Sequence, residues 1–353
     1  MPMTVPTLDT WLTWSLTELQ LGHFLDTDPW GRPLERYSKG RKGQICGDYK
    51  GILVVHKGDE KYMQKVYRLS HGAVSKHVCM LCEASSEVDS PYLYTFHGMS
   101  ACHRSTRLST SEFIEKVVGL QTFVRLPGFH VDFIQHDWLH VVDLSLIPEC
   151  SASALVELVR ESVWGGEGTH VDQRLRLGYV AFIKACKADK VKSRGEAVVL
   201  AKWLAKVCLD VAIRNPDDEH AQLRASVFVN LVAMRRAMSA PNNDHVKLHP
   251  ANLVALQKAN YLFHCAHNWL ATEAIKDDKL LWKTRPKYHK LDHIAYDHAP
   301  QHNPLHLACY VEEDGVGQVK RLAAKSHPKR LGEQVLARYA AYICCRWLRQ
   351  LTE

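Results

Sequence analysis

Apolar positions along the chain switch period several times, and each switch marks an element. Ile52, Leu53, Val54 and Val55 form a short β-branched run that ends at Lys57-Gly58-Asp59, the pattern of a buried strand closing on an acid. Tyr62, Val66 and Leu69 then recur at helical spacing. From 70 to 110 no period is sustained, and Ser, His and Cys dominate. After Pro127-Gly128 an apolar segment carries Phe133, Ile134, Trp138, Leu139, Val141 and Val142, with Asp137 and His140 inside it. From Ser151 the spacing turns helical. Ser151 or Ser153 can cap a helix bearing Leu155, Leu158, Val159 and Val163, and Leu200, Leu204, Val207 and Val211 mark a second stripe. Asn215-Pro216-Asp217 and Pro241-Asn242-Asn243 break this block, and a closing helix is expected from Leu331 to Leu351. The expected buried faces include Leu155, Leu158, Leu200, Leu204 and Val207.

These elements predict an α/β chain with a large α-helical insertion, helix-rich overall. An irregular lead-in spans 1–50, a small α/β core with a Cys knuckle 51–150, the insertion 151–280, and a block that completes the core 281–353. At 353 residues and 46% hydrophobic there is material for one large or two ordinary domains, which excludes a disordered chain. No run of about 18 uncharged apolar residues occurs and the N-terminus lacks a secretory pattern, so no membrane association and an intracellular location are expected. Eleven cysteines, an odd number in a long chain, read as reduced thiols. The net charge of +7 comes from 45 bases interleaved with 38 acids, a mild bias that permits nucleic acid as a partner. The 21 histidines point more strongly to metal chemistry.

Cys79 and Cys82 stand three apart, so that one turn can offer two thiolates to a tetrahedral zinc; the alternative is a pair of half-buried thiols. His289 and His293, four apart, stack on one helical face and can bind one ion together. Nearer candidates for the remaining ligands are Cys102 with His103, or His97. Asp59 and Glu313 are the acids that a hard Mg²⁺ site would use, although Asp59 reads equally as a helix cap and Glu313, beside Glu312 and Asp314, as solvated charge. Asp137 and His140, three apart in an apolar run, either satisfy each other in a core or serve a site.

In order, these blocks resemble the RNase H-like DDE transposases of the CACTA type and the related antigen-receptor recombinase, over most of the chain after Gly51. Gly58-Asp59 after a strand resembles the second catalytic Asp of that family, and Cys79-x-x-Cys82 its following cysteine pair. Asp137-Trp-Leu-His140 resembles the middle D-x-x-H block, and Lys287-Tyr-His289 with His293 the late K-x-H-x-x-x-H block. Glu313, twenty residues beyond His293, opens a segment with Gly317, Lys320 and Arg321 that resembles the one bearing the last catalytic Glu. The resemblance implies a partial RNase H-like core, Asp59 and Glu313 as catalytic Mg²⁺ ligands supported by Asp137 and His140, and one zinc on Cys79, Cys82, His289 and His293. It further implies DNA as partner through Lys287, Lys320 and Arg321, a nuclear location and possible homo-oligomers. The family's first Asp finds no match on an upstream strand; only Asp9, Asp26, Asp28 and Asp48 precede Asp59. The expectation is therefore a truncated or domesticated copy that binds DNA without completing the catalytic site. The reading from another class is a zinc-stabilised helical scaffold without enzymatic activity.

Overall fold

The computed structural model describes residues 4–34, 45, 50–67, 69, 71–72, 75–117, 123–189, 197–244, 246–326, 330–331 and 334–341. They fall into two compact units, 1–307 and 308–353. In the first, α1 (Thr4–Leu21) is followed by β1 (His56–Gly58), α2 (Glu60–Tyr67), α3 (Thr110–Lys116) and β2 (Ile134–His136). Next come α4 (Ile147–Arg160), α5 (Val171–Ala188), α6 (Ala197–Arg214), α7 (Glu219–Met238), α8 (Pro250–Lys276) and α9 (Pro286–His293). The second unit carries α10 (Tyr310–Ala324) and a helical stretch over 334–341; the rest of the closing helix expected to Leu351 lies outside the described residues. The chain is helix-rich, as the periodicity predicts.

The α/β part is smaller than its apolar runs suggest. Among the described residues the sheet is one parallel pair, His56 beside Ile134, Lys57 beside Gln135 and Gly58 beside His136. The run Ile52–Val55 is not part of it, and Ile52 and Val54 are exposed. Pairing rather than β-branching decides, because a strand exists only where a partner supplies its ladder, and β2 offers one only opposite His56–Gly58. Around this pair Met63, Val66, Tyr67, Leu81, Phe113, Phe123 and Ile134 form a core.

Both strands end the same way. In register, Gly58 and His136 lie side by side, and the next residue on each strand is an Asp that starts a helix. Asp59 Oδ1 accepts the amide of Tyr62 at 2.6 Å, and Asp137 Oδ2 that of His140 at 3.1 Å. The helix after β2 thus begins directly behind Asp137, and not at Ser151 or Ser153. It runs through a π-helical segment, Leu139–Leu146, directly into α4. Ser151 and Ser153 are buried mid-helix; Ser153 Oγ donates to the Glu149 carbonyl and accepts the Trp282 amide at 2.9 Å. The helix Leu139–Arg160 is apolar and long enough to cross a membrane by composition, but 61% of its most apolar window is buried inside the protein, as the central helix of a packed domain would be.

The insertion is predominantly helical over its described length. Helices α6, α7 and α8 pack in succession, and α4 touches α5, α6 and α7. Asp218 caps α7 through the Ala221 amide, and His249 with Pro250 starts α8, so the Pro and Asn breaks fall where the sequence places them. Leu158 and Leu204 are buried as expected, whereas Leu155, Leu200 and Val207 are half-buried. The fully buried faces turn by a residue toward Ala154, Val159, Trp203 and Cys208. Arg224 is fully buried in this bundle and held by Glu157 at 3.2 Å and by Glu161.

Two histidines in the cores foretell acid sensitivity. Burial pulls His56 down to about 4 and His267 down to about 3. Each is held neutral in the folded chain between that value and the ordinary imidazole range, so the unfolded chain binds more protons there. Stability should fall by about 1.4 kcal/mol per pH unit for each as pH drops from about 6.5 toward 4. Urea titrations across that range, with His56→Gln and His267→Gln flattening the slope, check this; a pH-independent midpoint would contradict it.

Candidate metal centre and adjoining cleft

Cys79 and Cys82 lie in the irregular segment between α2 and α3, and His289 and His293 occupy successive turns of α9. All four are buried, and their donor atoms lie within 4.8 Å of one another. Cys79 Sγ is 3.3 Å from His293 Nε2, Cys82 Sγ 3.3 Å from His289 Nε2 and 3.5 Å from His293 Nε2, and the two Nε2 atoms are 3.1 Å apart. A tetrahedral zinc with bonds of about 2.0–2.3 Å to N and S would give edges of about 3.3–3.8 Å. The donor set therefore fits a metal ion such as zinc. The Leu81 amide donates to Cys79 Sγ at 3.4 Å, as a thiolate in a knuckle requires.

The surroundings orient these donors. His293 Nδ1 donates to Asp297 Oδ2 at 2.6 Å, which leaves Nε2 for the ion, and Asp297 Oδ1 accepts from Arg104 at 2.7 Å and Arg107 at 3.2 Å. Asp297 stands four residues after His293, on the π-helical segment Ile294–His298 that continues α9. Burial would raise the Cys79 thiol, yet the hydrogen bond from Cys82 and the charges of His293 and His289 bring it well below its usual value. The hydrogen bond to Cys79, together with burial, pushes Cys82 up. Asp297→Asn should weaken zinc roughly 10–100-fold in a chelator competition while the fold persists; unchanged affinity would remove Asp297 from the site.

The nearer ligand candidates serve other ends. Cys102 is exposed. His103 donates toward the Phe96 carbonyl at 2.8 Å and packs edge-on against His289, with centroids 4.4 Å apart. His97 Nδ1 donates to Asp292 Oδ2 at 2.8 Å, and His264 Nε2 lies 3.5 Å from Asp292 Oδ1. These last three could also be taken for a metal triad. The two rings, however, are stacked 3.7 Å apart and within 8° of parallel, so their in-plane lone pairs cannot meet at one ion. Asp292 instead anchors α9 to its neighbours, with Asn260 Nδ2 donating at 2.7 Å.

On the other side of the strand ends is a cleft of about 400 Å³ lined by Asp59, Asp137, His140, Lys287, Lys290 and His136, among others. Four residues singled out separately in the sequence, Asp59, Asp137, His140 and Lys287, thus share one opening at the C-terminal edge of a parallel pair, where such sheets bind ligands. Lys287 Nζ donates to the His140 carbonyl at 3.0 Å; burial and the neighbouring Lys290 hold its pKa below the usual lysine value. Lys290, almost fully buried, pairs with Glu60. His140 Nδ1 and Asp137 Oδ2 are bonded to each other. Glu313 lies in the first turn of α10, and Lys320 and Arg321 are exposed further along it, all in the second unit. Asp9 is on α1, Asp26 and Asp28 follow it outside any strand, and Asp48 lies outside the described residues.

The sequence reading missed His136, Asp292, Asp297 and Lys290. Only Asp297 carries a local signal, its i, i+4 spacing from His293; the others are found by packing alone. The chain matches no known protein family, no characterised protein and no solved structure.

Proposed function

We propose that this chain is a transposase-derived DNA-binding protein whose strand-end cleft is organised by one zinc on Cys79, Cys82, His289 and His293, and which no longer cuts DNA. One observation carries the reading. The four donors, from segments more than 200 residues apart, meet at tetrahedral spacing in the grouping the transposase resemblance implies. Met80, between the two cysteines, and Lys287, on the helix of the two histidines, line one cleft with Asp59. Zinc would act here as a structural tie, holding the segment that carries Cys79 and Cys82 against α9.

Mg²⁺ is a different matter. It requires near-octahedral oxygen ligands, and in this cleft Asp137 Oδ2 is committed to the amide and ring of His140 while Asp59 Oδ1 caps α2. These carboxylates fit a metal pair poorly. In the proposal Lys287, Lys320 and Arg321 meet phosphates, Asp59 and Glu313 are the surviving acids of an incomplete set, and Asp137 and His140 brace the cleft.

The reading predicts duplex binding that weakens steeply with salt, with Lys287→Ala lowering the log–log salt slope by about one. It also predicts no nicking with Mg²⁺ or Mn²⁺ by the wild type or by Asp59→Asn with Glu313→Gln. Fluorescence anisotropy and a supercoiled-plasmid assay measure both. Nicking that the double substitution abolishes would restore an enzyme. A chain that holds zinc but shows no salt-dependent affinity for DNA would favour the helical scaffold, a reading that the small sheet and the long helical insertion also support.

A further inference from the structure

Structural zinc sites are commonly closed on all sides, and on its imidazole side this cluster is shut in by His103, by His136 and by the Asp297 bridge. Its thiol side is different. A cavity of about 250 Å³ borders both Cys79 and Cys82, and its other lining residues include His71, His77, Glu83 and Lys116. Potential metal donors are graded along it. At the surface, the His77 side chain is 63% exposed, with Nδ1 3.6 Å from Glu83 Oε2. Deeper in, His71 is 8% exposed, and neither of its ring nitrogens has a hydrogen-bond partner among the described residues. At the end are the two thiols.

The placement of His71 is built rather than incidental. Its carbonyl accepts Gln64 Nε2 from α2 at 2.8 Å, and the next amide, that of Gly72, donates to the His77 carbonyl at 3.0 Å. Both imidazoles line one cavity. An imidazole almost fully buried with both nitrogens unpaired is a net cost to stability, since each polar nitrogen loses water without a replacement. Such a cost is understandable where the group has a transient partner.

We propose that this cavity is the route by which zinc enters and leaves the cluster, and that His71 is a relay ligand on it. The inference rests on the cluster's holding zinc. On release, a lone pair of His71 forms a bond to zinc as one cysteine thiolate lets go and takes a proton from water. Glu83 and His77 then receive the ion at the mouth, and solvent or a chelator carries it away. Entry is the reverse, with the cysteine proton given to water. No oxidation state changes at any point.

The test uses the zinc-loaded full chain and excess 4-(2-pyridylazo)resorcinol as the acceptor, read by absorbance over time at fixed pH. His71→Ala and His71→Phe, the second of which also fills the cavity, should leave zinc content at one per chain and slow transfer about tenfold, in proportion to the loss of one coordinating partner. His77→Ala with Glu83→Gln, at the exposed mouth, should keep the fold and slow transfer by a smaller factor. Transfer at the wild-type rate in all these variants would overturn the route. Zinc lost altogether from His71→Phe, with the mouth variant transferring at the wild-type rate, would likewise overturn it and make His71 a structural residue. A wild-type chain that contains no zinc at all would instead bring down the metal reading on which the route rests, and the two failures are thus distinct.

Discussion

Chelating the proposed zinc of the purified chain should unfold the segment from His77 to Leu108 and loosen α9 with it. That segment has little regular structure, and although Val78, Leu81 and Ala84 join the core and His97 is tied to Asp292, the four donors are its tightest link to α9. Its regular structure amounts to two isolated bridges, His77 with Ser85 and Ser85 with Leu93, and the 3₁₀ turn Cys102–Thr106. A structural zinc contributes on the order of 10 kcal/mol of binding free energy near neutral pH, against a typical domain stability of about 5–15 kcal/mol. Hydrogen exchange in the presence of EDTA should therefore show loss of protection over 77–108 and 286–298, with α6, α7 and α8 retaining theirs. Cys82→Ser should reproduce the effect without chelator. Protection unchanged by EDTA, with a metal content of zero, would mean that the four donors are a hydrogen-bonded polar core and no more.

Asp292→Ala is expected to be the most damaging substitution outside the metal ligands, costing about 3–5 kcal/mol by the usual penalty for breaking a buried charged network. Asp292 is fully buried; against burial, which raises its carboxyl, His264 first and then His97 and Asn260 hold it well below the usual range. Removing it leaves the amide of Asn260 and the ring of His97 facing an empty acceptor position. Asp292→Asn keeps one acceptor and should cost less. Because the two stacked histidines cannot share an ion, zinc content at low temperature should be unchanged in the Asn variant. A fall in zinc per chain there would show that Asp292 belongs to the metal centre after all. Chemical denaturation followed by circular dichroism gives the stabilities.

How much of this was legible in the sequence depends on whether a feature is local. The helices from 151 to 280 were readable because their periodicity, caps and Pro breaks are contained in stretches of twenty residues or so. The cysteine pair and the histidine pair are each readable for the same reason, but joining them rests on the transposase resemblance, because Cys102 with His103, or His97, stand nearer in the sequence as alternative partners. Strand β1 was misplaced because Ile52–Val55 has the composition of a strand, while the ladder forms only where Ile134–His136 can pair. The start of the long helix was misplaced because Asp137, the true cap, sits inside an apolar run that conceals it, and Ser151 looks like a cap in isolation. Asp292 was invisible because nothing near it in sequence says that Asn260 and His97 will converge on it.

The separation between the two halves of the candidate metal centre sets a schedule for the protein's synthesis. Cys82 and His293 are 211 residues apart, and ribosomes add about 5–20 residues per second. For about 10–40 seconds the nascent chain therefore carries a finished cysteine pair with no histidines to close on. Over that interval the thiols are open to oxidation and to other metals. Production of the chain at low oxygen, or with zinc supplied during translation rather than after it, should accordingly raise the yield of folded protein more than any adjustment made once synthesis is complete.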